Sequence, residues 1–285
     1  MQLPHIEGIQ HTYVSVNNIT FHVATIGQGK PVVLLHGWPQ HWYVWRKLIP
    51  LLSKKYQLIM PDLPGLGWSD APPNYSYRKE QIADDLLLVL NKLNLKEITL
   101  VGHDWGGWIG FLMCSKKPEY FSNYVALGIT NPFAISNLSS MQNWRFFYQL
   151  PIAMPLIGKS LLRYLPFLIE WGIKHCSYLK YSWAKTDLRY YSSVLQNQKK
   201  ALASSLLYRT FLEKELISIY LGKYKQQRLT VPTHLLIGEN DPIINPAVFK
   251  HADQNDTFKM IIVPKCGHFI PEEKPEVVAA LINTF

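Results

Sequence analysis

Short apolar runs of strand length recur along the chain, and their pattern predicts a β-sheet. The first two runs flank Asn17 and Asn18, and a two-residue turn of this kind between β-branched residues is typical of a β-hairpin. The later runs are apolar at successive positions, as expected when helices cover both faces of a sheet. We predict eight strands, at residues 12–16, 19–25, 31–36, 56–60, 97–102, 123–129, 233–238 and 259–263.

Helical patterns separate most of these strands. They occupy residues 42–53, 78–93 and 105–116, and further helices are predicted near residues 246–252 and from Pro275 onward. Strands that alternate with helices build mostly parallel sheets, because a parallel connection must return to the opposite end of the sheet. The pattern therefore predicts an α/β fold, a mostly parallel eight-stranded sheet with flanking helices.

The alternation stops after residue 131 and resumes near residue 229. We interpret residues 132–228 as an inserted helical cap, or lid, and residues 1–131 and 229–285 as the core that carries the sheet. The apolar stretch 146–173 within the cap does not read as a membrane span, because prolines and charged residues interrupt it. These interruptions are Pro151, Pro155, Lys159, Arg163, Pro166 and Glu170.

The composition is that of a globular protein, because 48% hydrophobic residues in 285 suffice for a substantial core. The first residues show neither a basic region nor an apolar run, so we expect no signal peptide and a cytoplasmic location. Cys114, Cys176 and Cys266 are odd in number and widely spaced, which favours reduced, packed thiols over disulfides or a zinc site.

The net charge of +9 is unevenly distributed. Residues 133–228 contain 14 Lys and Arg against 4 Asp and Glu, so the cap carries the whole excess. No dense block of basic residues occurs, and we therefore expect no nucleic-acid partner. Solvated helices are the simpler interpretation of the basic cap, and contact with an anionic membrane surface is the alternative. The sequence carries no signal for an oligomeric state.

The segment "LVGHDWGGWIG", residues 100–110, has the form of a nucleophile elbow. Gly102 and Gly106 stand two residues before and two after Asp104, where a predicted strand turns into a predicted helix. The N-terminus of a helix stabilises an anion, which suits a carboxylate at this point. In isolation, Asp104 would fit the role of an N-cap residue equally well.

Two further residues complete a possible triad. Asp241 in "GENDP" and His268 in "CGHF" each follow a predicted strand, and open α/β sheets build their sites at the C-terminal ends of strands. A nucleophile, an acid and a histidine in this chain order form a known hydrolytic triad. The combination favours catalysis by Asp104, Asp241 and His268 over three separate structural roles.

The loop "LLHGWPQ", residues 34–40, predicts an oxyanion hole. Gly37 lets the backbone approach the site, and we expect the N–H of Trp38 to pair with that of Trp105. A cis peptide bond is expected before Pro39. We also expect His36, Gly37 and Pro39 to contact the substrate or its leaving group. The turn-rich loop "PDLPGLGWSD" is predicted to shape the site without taking part in the chemistry.

In their order and spacing, HGWP, PDLPGLGWSD, GHDWGG, GENDP and GHF resemble the epoxide hydrolase and haloalkane dehalogenase branch of the α/β-hydrolase superfamily. The resemblance covers essentially the whole chain outside the cap, and the aspartate in the elbow is the specific mark of that branch. It implies that Asp104 forms an alkyl ester with the substrate. His268, oriented by Asp241, then activates the water that hydrolyses this ester.

The cap distinguishes the possible leaving groups. An opening epoxide needs hydroxyl donors, usually two cap tyrosines in epoxide hydrolases, whereas a halide needs only weak donors such as indole N–H groups. By resemblance Tyr208 corresponds to the second of these tyrosines, while Trp144 stands at the first position and Tyr148 follows four residues later. Trp38 favours an epoxide, because haloalkane dehalogenases usually carry Asn or Glu at that position.

Hydrolysis of an epoxide to a vicinal diol is the leading prediction, and release of a halide is the alternative. Fluoroacetate dehalogenases also resemble the chain, but they use arginines where Trp105 and Trp108 stand, so a small anionic substrate is not expected. A non-catalytic binding protein on the same scaffold stays open, although an intact Asp104, Asp241 and His268 argue against it. We expect a small lipophilic substrate, no metal and no cofactor.

Overall fold

The computed structural model describes residues 2–134, 147–180, 182–224, 226–246 and 257–285. The strands found within these ranges confirm the predicted sheet. They are β1 (Gln10–Val16), β2 (Ile19–Ile26), β3 (Lys30–Leu35), β4 (Tyr56–Pro61), β5 (Ile98–His103), β6 (Phe121–Leu127), β7 (Thr233–Gly238) and β8 (Phe258–Val263). All eight lie in one sheet, in the order β1-β2-β4-β3-β5-β6-β7-β8.

The sheet is mostly parallel. β1 and β2 form the predicted hairpin, in which Asn17 and Asn18 have φ values of 45° and 62°, as a primed turn requires. This hairpin is antiparallel, β2 is also antiparallel to β4, and the five remaining neighbouring pairs are parallel. The C-terminal ends of β3, β5, β6, β7 and β8 therefore meet at one edge, and the loops that follow them converge there.

Helices cover both faces of the sheet. α2 (Lys79–Lys92) and α3 (Trp105–Lys116) pack on one face, and α1 (Ile49–Leu52) and α11 (Pro275–Ile282) pack on the other. Successive residues of one strand serve the two faces: Leu35 belongs to the α3 side and Leu34 to the α11 side, and both are fully buried. This double burial explains why the strands are apolar at successive positions.

One predicted helix is wrong. Residues 42–53 form a 3-10 turn, Trp42–Trp45, followed by the short α1. Pro50 lacks an N–H, and its ring excludes the carbonyl four residues before it, so one continuous helix cannot pass through this position. The helices predicted at 78–93, at 105–116 and from Pro275 are confirmed to within a residue. The one predicted near 246–252 lies mostly outside the described residues.

Between β6 and β7, the residues that the structure describes are mostly helical. None of the helices in the described ranges combines the length and apolar character that crossing a membrane requires. The cap boundaries 132–228 stay a prediction. The helices are α4 (Gln149–Ala153), α5 (Ile157–Tyr164), α6 (Pro166–His175), α7 (Lys185–Leu195), α8 (Gln198–Thr210) and α9 (Leu216–Tyr220), with a π-helical turn at Phe211–Glu215.

Ion pairs join this helical segment to the sheet layer. Arg46, which precedes α1, pairs with Asp187 of α7 at 2.6 Å and also with the buried Glu272 of α10 (Ile270–Glu273). The hydroxyl of Tyr191 in α7 donates to the same Glu272 at 2.9 Å. These contacts hold α7 next to the loops at the C-terminal edge of the sheet.

Candidate active site

Asp104 occupies the turn between β5 and α3. Its φ is 50°, a left-handed conformation that residues with a Cβ seldom adopt. The two flanking glycines make the turn possible: a Cβ on Gly106 would lie 2.2 Å from the carbonyl oxygen of Leu35, and one on Gly102 would lie 2.5 Å from that of Gly106. The segment therefore has the geometry of an elbow that presents one side chain at the end of a strand.

The structure brings the predicted triad together. His268 follows β8, and its Nδ1 is 2.9 Å from Oδ2 of Asp241, which follows β7. The other carboxylate oxygen of Asp241 accepts the backbone N–H groups of Ile243 and Ile244, at 2.7 and 3.0 Å. These bonds fix the imidazole so that its Nε2 faces Asp104, 3.9 Å from Oδ1. A water molecule between the two groups would be within reach of both.

Burial and neighbouring charges act in opposite directions on the pKa values of His268 and Asp104. Burial lowers the pKa of His268, but the charge and hydrogen bond of Asp241 and the charge of Asp104 outweigh it and raise the pKa above its ordinary value. Burial raises the pKa of Asp104, and the charge of His268 with the N–H groups of Trp105 and Trp38 opposes this only in part. The site thus holds a desolvated carboxylate beside a basic imidazole.

The predicted oxyanion hole already binds an oxygen atom of the enzyme. The backbone N–H of Trp38 donates to Oδ2 of Asp104 at 2.8 Å, and the N–H of Trp105 also bonds to this carboxylate. Gly37 permits the approach, because a Cβ there would lie 2.4 Å from Cβ of Asp104. The peptide bond between Trp38 and Pro39 is cis, as expected.

His36 lies within the loop rather than in the cavity. Its fully buried ring accepts the N–H of Leu63 at Nε2, 2.9 Å away, which leaves the proton on Nδ1 for donation to the carbonyl of Gly37. Burial lowers the pKa of His36, so the ring stays neutral. This geometry gives the ring a positioning function for the oxyanion loop, whereas the sequence predicted contact with the substrate.

An apolar cavity of about 300 Å³ opens next to Asp104. Trp105 and Trp108 of α3 form one wall, and Phe211 of the π-helical turn forms another. Tyr148 and Tyr220 are the tyrosines in its lining. A cavity with apolar walls and few polar groups suits a small lipophilic molecule.

Two of the predicted cap donors lie close to the nucleophile. The buried ring of Tyr208 packs edge-on against Trp38 and Trp105, with centroid distances of 5.2 and 5.7 Å, and lies 6.1 Å from the ring of Tyr148. Burial and the charges around them, including Asp104, raise the pKa of both phenols, which therefore keep their protons. Trp144 lies outside the described residues.

The sequence analysis missed two buried charges around the site. Asp62 of "PDLPGLGWSD" accepts the N–H groups of Trp42 and Trp68 and bonds to Nδ1 of His22, each at 2.8 Å. Burial acts to raise the pKa of Asp62, but His22 lowers it well below its ordinary value. Asp62 thereby ties this loop to β2 and to the 3-10 turn that follows the oxyanion loop. Its signal in the sequence is an aspartate directly after the predicted fourth strand, in a loop rich in proline and glycine.

The second missed residue is Lys79, the first residue of α2. Its side chain is fully buried, with Nζ 4.4 Å from the ring centre of Trp105 and 2.6 Å from the carbonyl oxygen of Leu207. Burial lowers the pKa of Lys79. A lysine at the start of an amphipathic helix gives no sign of burial in the sequence.

Comparisons with known proteins agree with this architecture. A family model of the α/β-hydrolase fold matches residues 30–275. The chain is 30% identical to the soluble epoxide hydrolase of Corynebacterium sp. (strain C12), over 95% of this chain and 94% of that protein. It is 28% identical to the AB hydrolase superfamily protein YfhM of Bacillus subtilis (strain 168), over 97% of this chain and 98% of that protein. The solved structure titled "Epoxide hydrolase CorEH without ligand" is 27% identical and superposes with a TM-score of 0.82. The match covers 97% of this chain and 98% of that one.

The chain therefore belongs to the α/β-hydrolase fold family. Its relatives, together with the elbow and the triad, make it an enzyme of the epoxide hydrolase-like kind. The alternative of a non-catalytic binding protein is correspondingly disfavoured.

Proposed function

We propose that this enzyme hydrolyses epoxides to vicinal diols through a covalent ester on Asp104. The observation that carries the proposal is the division of roles between the two oxygens of this carboxylate. Oδ2 is held by the N–H of Trp38 at 2.8 Å, whereas Oδ1 faces His268 at 3.9 Å. Oδ1 is thus the oxygen available for attack, and Oδ2 is the one on which negative charge is stabilised later.

In the first step, Oδ1 of Asp104 attacks an epoxide carbon and the bond from that carbon to the epoxide oxygen breaks. The electron pair stays on the epoxide oxygen, and Tyr208 or Tyr148 donates a proton to it. Attack at an sp³ carbon gives a stable ester, whereas attack at an acyl carbon would give an anhydride. A carboxylate nucleophile therefore favours the epoxide over a carboxylic ester as substrate.

In the second step, water attacks Cγ of Asp104 while Nε2 of His268 accepts one of its protons. The tetrahedral intermediate carries its negative charge on Oδ2, which the N–H of Trp38 already holds, and the N–H of Trp105 bonds to the same carboxylate. Collapse breaks the bond between Cγ and Oδ1, and the proton on His268 passes to the leaving diol oxygen. The second water proton returns to the tyrosine, so that epoxide and water give a diol.

The test is to remove the base and keep the nucleophile. His268→Ala should react with an epoxide but not release the product, because Asp104 needs no base for its attack. Intact mass should then increase by the whole mass of the epoxide, with the adduct on the peptide that contains Asp104. Asp104→Asn is the matched control and should form no adduct. A folded His268→Ala that forms none with substrates of the native enzyme would contradict both assignments.

Dehalogenation is the second candidate, and one observation favours it. The indole Nε1 of Trp38 is buried and has no hydrogen-bond partner among the described residues, and a weak donor of this kind suits a halide. The same experiment separates the two reactions. A haloalkane loses its halogen, so its adduct on His268→Ala would weigh the haloalkane minus HX. Styrene-type epoxides, long-chain epoxides and haloalkanes form the substrate panel.

A further inference from the structure

Helix α6 exposes an apolar surface that the proposed reaction does not use. Ile169 and Ile173 bury one face of this helix, whereas Phe167 and Trp171, one turn apart on another face, are 60% and 61% exposed. The ring of His175, a further turn along, stacks on Trp171 at 4.8 Å. Two large aromatic side chains that are adjacent and exposed on a helix are typical of a surface that contacts a protein or a membrane.

This surface extends to the neighbouring parts of the cap. Exposure reaches 78% for Leu156 and 66% for Tyr164, at the two ends of α5. We call this set of exposed apolar side chains the cap face. It consists of Leu156, Tyr164, Phe167, Leu168, Trp171 and Leu179.

The charges around the cap face are nearly all positive. Three basic residues lie between its members in the chain, a fourth directly follows the last member, and Glu170 is the one acidic residue among residues 147–180. The carboxylate of Glu170 accepts a hydrogen bond from Ser192 of α7 at 2.9 Å, so it is directed at the protein. The partner of this surface should therefore offer both an apolar region for the exposed side chains and negative charges for the basic residues. The four basic residues are Lys159, Arg163, Lys174 and Lys180.

We propose that the cap face docks on the surface of an anionic lipid bilayer. Aromatic side chains such as Trp171 and Tyr164 prefer the boundary between headgroups and acyl chains, and Lys or Arg beside them bind acidic headgroups. A second copy of the chain is a poorer occupant. A symmetric dimer places the same patch on both sides of its interface, and the four basic residues of each copy would face those of the other.

The cavity opens beside this surface. Phe147 and Leu150 line the cavity and are 61% and 50% exposed, and α4, which carries Leu150, packs against α5. Docking of the cap face would place this apolar opening near the bilayer, where lipophilic molecules concentrate. Membrane binding is a separate property from the proposed reaction, and its test needs no turnover.

The experiment is co-sedimentation of the full chain with vesicles of phosphatidylcholine, with and without phosphatidylserine. Binding should require phosphatidylserine and weaken at high salt, because salt screens the attraction between surface lysines or arginines and acidic headgroups. Phe167→Ser combined with Trp171→Ser should reduce the affinity at least about tenfold, through loss of apolar burial. Lys174→Glu combined with Lys180→Glu should reduce it at least about tenfold, through reversal of charge.

Matched variants away from the cap provide the controls. Tyr13→Ser with Leu88→Ser removes two exposed apolar residues from β1 and α2. Lys30→Glu with Lys96→Glu makes the same charge change at the N-terminal ends of the strands. Both should bind like the native chain, and thermal unfolding checks the fold of every variant. Absence of binding, binding without phosphatidylserine, or equal loss in the controls would overturn the proposal. If vesicles do not bind, sedimentation velocity tests whether the chain dimerises instead. A dimer that is lost in the Phe167→Ser and Trp171→Ser double variant would show that the cap face binds a second copy.

Discussion

The buried ammonium group of Lys79 forms an ion pair with Glu215 at a distance of 3.1 Å. Lys79 begins α2 in the sheet layer, whereas Glu215 ends the π-helical turn of the cap. A second bond runs in parallel, because the backbone N–H of Lys79 donates to Glu215 at 2.9 Å. The pair lies behind Trp105, whose N–H belongs to the oxyanion hole, and so connects the position of the cap to that of the nucleophile.

Removal of one partner of this pair should destabilise the protein strongly. Lys79→Met or Glu215→Leu leaves an unpaired buried charge, which typically costs about 3–5 kcal/mol in the free energy of unfolding. The double variant should lose less than the sum of the two, and urea unfolding measures all three. Lys117→Met is the control, because its exposed pair with Glu119 contributes at most about 1 kcal/mol. Additive losses would show that the two side chains do not interact.

The cap tyrosines should affect only the first chemical step. If Tyr208 protonates the opening epoxide, Tyr208→Phe should slow ester formation roughly 100-fold, the scale of one lost oxyanion donor, and leave ester hydrolysis unchanged. Single-turnover kinetics separates the two rates. Tyr148→Phe tests the other predicted donor, which lines the cavity, and replacement of the exposed Tyr13 by Phe serves as the control. Unchanged ester formation in both cap variants would assign the proton to another group.

The pKa of His268 should depend on both carboxylates. Asp241→Asn should lower it most and Asp104→Asn less, because the charge and hydrogen bond of Asp241 contribute more than the charge of Asp104. Histidine NMR titration measures these values. Ester hydrolysis should slow as the pH falls through the pKa of His268, since a protonated imidazole cannot accept a proton from water. A pKa that neither substitution moves would show that the histidine is not coupled to these groups.

The diol should receive its new oxygen from the enzyme in the first turnover. Water attacks Cγ of Asp104, so Oδ1 leaves with the product and the oxygen of water stays in the carboxylate. With enzyme in excess in ¹⁸O-water, mass spectrometry should find the label in the peptide of Asp104 and not in the diol. Label in the diol during that turnover would mean direct attack of water on the epoxide.

The strands and the elbow could be predicted because their causes are local. The inner strands are apolar on both sides, as in the buried run 32–35 of β3, and Gly102 and Gly106 stand where a Cβ has no room. The buried Lys79 could not be predicted, since its partner Glu215 lies 136 residues away and only the folded cap brings the two together. For His36 the sequence predicted the loop but not the direction of the ring. That direction depends on the bond from the N–H of Leu63, which only the folded chain brings close.

The left-handed φ of 50° at Asp104 has a consequence for how this fold acquires new reactions. The backbone strain is similar for any residue with a Cβ, so a serine at this position would inherit the turn, the two N–H groups and the histidine. Asp104→Ser should then direct attack to acyl carbons, with the carbonyl oxygen of the substrate in the place of Oδ2. Release of nitrophenol from a nitrophenyl acetate would reveal that activity. That result would mean that a single residue separates two hydrolytic chemistries, so that evolution could pass between them without remodelling the scaffold.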